Sequence, residues 1–125
     1  MITGNCVVVP IPLYRRRERA RGFNQAALIA EVFIQHLQGI GSVHIEYDNL
    51  IKIRNTVSQT KLNSYEQRAH NVHDSFSLTY PERVIGKNVI LVDDVYTSGA
   101  TIREAVSILK RAGAQKIIAF VVAKA

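Results

Sequence analysis

The sequence predicts an α/β fold, a parallel sheet flanked by helices on both faces. Three observations lead there. Segments 6–9, 88–92 and 116–123 are continuous apolar runs rather than alternating ones, as strands buried on both sides should be. Segments 25–37 and 100–112 carry apolar residues at helical spacing. The order of strand 88–92, helix 100–112 and strand 116–123 makes one right-handed βαβ unit. With 125 residues, 47% of them apolar and 21% charged, the chain has room for one domain and one core. No repeat, low-complexity tract or linker divides it, so 1–125 reads as a single domain with a Rossmann-like sheet.

Each element has a local reason. Cys6, Val7, Val8 and Val9 form a short buried strand closed by Pro10 and Pro12, which have no amide to donate. A basic loop spans 10–22. Asn24 suits the cap of helix 25–37, whose Ile29, Val32, Phe33 and Leu37 share one face and which Gly39 and Gly41 end. Segment 50–53 is a second short strand. Ser64 and Gln67 fit a capping box that opens a short helix over 65–71. Segment 76–78 is a weak strand ending before Pro81, and 88–92 is the strongest of the strands. In helix 100–112 the stripe is Ile102, Ala105, Val106 and Leu109, with Gly113 at the stop. In such sheets ligands lie beyond the carboxyl ends of the strands, which singles out loops 10–22, 54–63 and 93–99.

Composition narrows the function. The longest apolar run, 117–123, is far shorter than the roughly 20 residues that span a bilayer, so no membrane insertion is expected. The N-terminus lacks secretory features, and a cytoplasmic location is expected. A single cysteine, Cys6, excludes an internal disulfide and a cysteine-rich zinc site. His36, His44, His70 and His73 show no metal-like clustering and are expected at the surface. The net charge of +6 calls for an anionic partner, nucleic acid or a phosphorylated small molecule. That charge is local, because Arg15, Arg16, Arg17, Arg19 and Arg21 form one dense cluster.

The most informative stretch follows Val92: Asp93, Asp94, Val95, Tyr96, Thr97, Ser98, Gly99, Ala100 and Thr101. The amides of a tight loop and a first helical turn lack intrahelical partners and carry partial positive charge, which makes an anion cradle. Gly99 allows close backbone approach, and the hydroxyls of Thr97, Ser98 and Thr101 add donors. Two carboxylates repel phosphate, so Asp93 and Asp94 need another target. Sugar hydroxyls suit them, and a bound Mg²⁺ nearby softens the repulsion. A phosphorylated ribose satisfies both halves of the stretch. A plain N-capped helix would account for the hydroxyl residues but not for two acids directly before the cradle.

This stretch resembles the 5-phosphoribosyl 1-pyrophosphate (PRPP) signature of the type I phosphoribosyltransferases. The resemblance implies that fold, with Asp93 and Asp94 on the ribose hydroxyls and Tyr96, Thr97, Ser98, Gly99, Ala100 and Thr101 around the 5′-phosphate. Pro10, Pro12 and Leu13, the basic run, and Arg21, Gly22, Phe23, Asn24 and Gln25 are similar to the ComF family of competence-associated phosphoribosyltransferase-like proteins. Arg54, Thr56, Gln59, Thr60, Leu62, Arg68, Asn71, Val72 and Phe76 resemble that family's middle segment. Guanidinium forks pair well with phosphate oxygens, so pyrophosphate is assigned to the cluster Arg15, Arg16, Arg17, Arg19 and Arg21. Arg54, Thr56 and Gln59 are expected on a flexible loop that closes over PRPP. Mg²⁺ is expected to arrive with PRPP rather than on protein ligands.

The implied reaction transfers the phosphoribosyl group to a nucleobase or other nitrogen acceptor. Family members commonly carry an N-terminal zinc-binding region, absent from this sequence, which raises the expectation of a fragment. Two alternatives stay open: a non-catalytic PRPP or nucleotide sensor, and a nucleic-acid-binding module working with DNA-uptake proteins. A homodimer is also left open.

Overall fold

Strand β1 (Cys6–Pro10) is buried along its whole length. Helix α1 (Gln25–Gln35) follows, then β2 (Val43–Ile45), β3 (Leu50–Lys52), β4 (Phe76–Leu78), β5 (Asn88–Tyr96), helix α2 (Ala100–Arg111) and β6 (Lys116–Lys124). This computed structural model describes residues 5–12, 25–37, 43–53, 75–96 and 99–124. The expected helix over 65–71 and the Asn24 cap lie outside them.

The main sheet is parallel with order β2-β1-β5-β6. Alternate residues of its strands feed two cores. On one face Cys6, Val8, Ile90 and Val92 pack against Ala30, Ile29, Phe33 and Ile34 of α1. On the other, Val7, Val9, Val89 and Leu91 pack with Ala105 and Leu109 of α2. Each large apolar side chain so buried is worth about 1.5–3 kcal/mol. The expected fold class therefore stands, with helices on both faces.

Four details differ from the sequence reading. The short strand β2 was not anticipated, since it has only three residues and one of them, His44, is exposed. Segments 50–52 and 76–78 do form strands, but they pair antiparallel with each other in a separate small sheet. Strand β5 runs to Tyr96, four residues beyond the apolar stretch. Coverage is also incomplete on the α1 side of β6, where Ile118, Phe120 and Val122 stay partly exposed beside Leu28 and Val32. A cavity of about 490 Å³ lies there, floored by Phe33 and Phe120, whose ring centroids are 4.6 Å apart.

Helix α2 ends as predicted. Gly113 adopts φ 101°, its amide donates to the Lys110 carbonyl, and the Ala114 amide donates to that of Leu109. These bonds make a Schellman stop, which needs a left-handed residue. Cys6 is buried, and burial pushes its thiol pKa up. Among the described residues no helix is long and apolar enough to cross a membrane.

Candidate functional site

The chain from β1 passes through α1 to β2 on one side of the sheet. From β5 it passes through α2 to β6 on the other. The two connections diverge between β1 and β5, and that divergence opens a crevice at the carboxyl ends of the strands. The end of β1 is fixed by proline. Pro10 pairs with Val92 as the last residue of the β1–β5 register, and the Ile11 amide then donates to the Val92 carbonyl at 2.8 Å. On its other side β5 keeps pairing with β6 as far as Tyr96 opposite Lys124. Asp93 and Asp94 therefore sit on strand, not loop, just past the point where the β1 register stops.

Both acids are half-buried. The Asp93 carboxyl is pushed up to about 7, first by desolvation, then by its hydrogen bond with the Asp94 carboxyl and by that neighbour's charge. The Asp94 amide, which donates to Asp93 Oδ1 at 2.9 Å, and the charge of Lys52 act in the opposite direction. An Asp93 carboxyl that titrates near neutral pH can accept when ionised and donate when protonated, beside the acceptor oxygens of Asp94. Vicinal sugar hydroxyls, themselves donors and acceptors, are suited to such a pair.

The cradle side begins at Gly99, buried at the N-cap of α2 with φ 80° and ψ −3°. That left-handed conformation penalises any side chain. No side chain caps the helix at Gly99, and its carbonyl accepts the Arg103 amide at 2.9 Å. The first-turn amides lie at the positive end of the helix dipole.

Of the residues singled out in the sequence, Asp93, Asp94 and Tyr96 lie on β5, and Gly99, Ala100 and Thr101 open α2. Thr97 and Ser98 lie outside the described residues. So do Arg15, Arg16, Arg17, Arg19 and Arg21, and Arg54, Thr56 and Gln59. One residue went unnoticed in the sequence. Lys52, the last residue of β3, exerts its charge on the Asp93 carboxyl. The available signal was its place just before the segment 54–63, which the sequence singled out for ligand contact.

Residues 23–125 match the phosphoribosyl transferase domain, and the chain belongs to that family. It is similar to the DNA utilization protein YhgH of Escherichia coli strain K12, 34% identical over 112 residues that make up 88% of this chain and 45% of that protein. It is 32% identical over 120 residues to competence protein F of Haemophilus influenzae, covering 94% of this chain and 50% of that protein. With competence protein ComFC of Bacillus subtilis the identity is 35% over 107 residues, 86% of this chain and 39% of the relative. The chain thus spans about half the length, or less, of these curated relatives. The ComF resemblance seen in the motifs extends over most of this chain.

Proposed function

We propose that the chain binds PRPP–Mg²⁺ at the end of β5 and transfers its phosphoribosyl group to a nitrogen acceptor, releasing pyrophosphate. One observation carries the reading: an acid pair near the end of a central strand stands a few residues ahead of a glycine-opened helix N-terminus. The acids suit ribose hydroxyls and the helix end suits the 5′-phosphate, a few residues apart. In the reaction the anomeric carbon loses its bond to pyrophosphate and gains one to nitrogen, and the acceptor's proton leaves to solvent. Such displacement has oxocarbenium character. The chain's part is to position the ribose, and to stabilise the departing charge through arginines of the cluster Arg15, Arg16, Arg17, Arg19 and Arg21 alongside the Mg²⁺ that enters with the substrate.

The names of the relatives, DNA utilization and competence proteins, support a role connected with DNA uptake or use. A cytoplasmic setting and a nucleobase acceptor belong to the same proposal. The test is calorimetric titration with PRPP–Mg²⁺ of the parent and of the Asp93→Asn/Asp94→Asn double variant, followed by a nucleobase screen that detects pyrophosphate release. The parent should bind, and the folded double variant should bind at least about tenfold more weakly, the loss of roughly one charge-assisted hydrogen bond. Equal affinities would remove the ribose role. Binding without turnover on any base would favour the sensor.

A further inference from the structure

Strand β6 stands at the edge of the main sheet. It pairs with β5 along its length, and among the described residues no strand lies on its other side. Its face toward α1 is bare as well. Ile118, Phe120 and Val122, at alternate positions, are 49%, 38% and 60% exposed, and Leu28 and Val32 of α1 are 49% and 58% exposed. Phe120 and Val122 line the apolar cavity together with Leu28 and Val32. A parallel sheet is ordinarily covered on both faces, and a long apolar edge strand is a template for another chain. Here the open edge and the open face belong to the same strand.

The sequence of β6 indicates what fits that edge. It reads nearly alike in both directions about Phe120, apolar from 117 through 123 and closed by a lysine at each end. In two antiparallel copies related by a two-fold axis, one residue must face itself, because opposed residues point to the same face and neighbours alternate. With Phe120 in that place, Ile118 of each copy meets Val122 of the other on the α1 side. Every cross-strand pair from 117 to 123 is then apolar. Such a two-fold contact also closes on itself, so no open edge is left to propagate.

We propose that β6 is a self-association surface: two copies of this chain pair their β6 strands antiparallel about Phe120, joining two four-stranded sheets into one. A nine-residue seam is about 30 Å long. One sheet and one helix layer deep, about 20 Å, it covers roughly 600 Å² per copy. A standard stable interface covers roughly 800 Å² per partner. The dimer should therefore be weak, dissociating in the micromolar range. Each copy carries a net charge of +6, so salt should tighten the dimer by screening that repulsion. The crevice between β1 and β5 lies on the far side of β5 from the seam and stays open, so the proposal does not depend on the PRPP reading.

The test is sedimentation velocity of the full chain, from low micromolar to several hundred micromolar and at low and high salt. The parent is compared with Ile118→Glu, Val122→Lys and the double variant. Each single variant sets a charge against an apolar side chain and should raise the dimer dissociation constant at least about tenfold. The double variant sets opposite charges against each other across the two-fold axis and should recover most of the parent's association. Hydrogen exchange of the parent needs no substitution: the amides of 117–123 should exchange more slowly as the dimer forms. A parent that stays monomeric throughout overturns the proposal. So does a dimer that neither single variant weakens, or a double variant as weak as the singles, since the contact would then lie elsewhere or in another register. Association that loosens as salt rises, or exchange in 117–123 that ignores dimer formation, overturns it too.

Discussion

Asp93 makes the folded state sensitive to pH, because its carboxyl is pushed up to about 7 by desolvation and by Asp94. In the unfolded chain an aspartate titrates near ~3.9. Between those values the folded chain binds more protons than the unfolded one, so stability falls as pH rises through that window. Below it Asp93 is protonated in both states and contributes no difference; above it the full penalty of a half-buried charge is present. Asp93→Asn should therefore match the parent in urea midpoint near pH 4 and exceed it near pH 8. A gap between the two that stays constant across the range would show that Asp93 titrates normally. The acid pair itself was legible in the sequence, because two aspartates after an apolar strand have few structural explanations. Lys52 was not. Its action on Asp93 depends on β3 pairing with β4 and on that small sheet packing over the main one, contacts between segments far apart in the chain.

At the scale of elements, α2 is the part the sequence specified best. Its apolar stripe, its glycine stop and its first turn all agree with the structure, since each is encoded within a few residues. The limits of β5 were harder to read for a physical reason. Apolar composition reports where burial ends, at Val92, while pairing with β6 continues to Tyr96. The acids consequently ride on a hydrogen-bonded strand, a firmer mount than a loop. Gly99 joins that strand to α2 in a left-handed conformation. Gly99→Val should abolish ribose 5-phosphate binding, through backbone strain and through a side chain placed where the phosphate approaches. Ala112→Val, at the far end of the same helix, should leave binding unchanged. Titration of both variants with ribose 5-phosphate decides it, and normal binding by Gly99→Val would mean the phosphate lies elsewhere.

For the molecule as a whole, the sheet order sets the carboxyl ends of β1 and β5, distant in sequence, side by side. The first strand was expected beside the 88–92 strand, and β1 does pair with β5. The chain that carries Arg15, Arg16, Arg17, Arg19 and Arg21 therefore departs from the strand end next to Asp93. What these arginines bind is the question on which the enzyme and nucleic-acid readings part. If Arg19 and Arg21 clamp pyrophosphate, replacing both with alanine should weaken PRPP–Mg²⁺ far more than ribose 5-phosphate, which lacks that group. If the cluster rides on DNA, the same change should weaken strand or duplex binding and flatten its salt dependence by roughly 0.7–0.9 in log–log slope per lost phosphate contact. Five arginines exceed the needs of one pyrophosphate, so both effects can coexist and each must be measured separately. The PRPP discrimination should be the larger, because the crevice between β1 and β5 lies where a ligand held by Asp93 and the α2 N-terminus must sit. Equal losses for PRPP and ribose 5-phosphate, with a flattened DNA slope, would assign the cluster to nucleic acid instead.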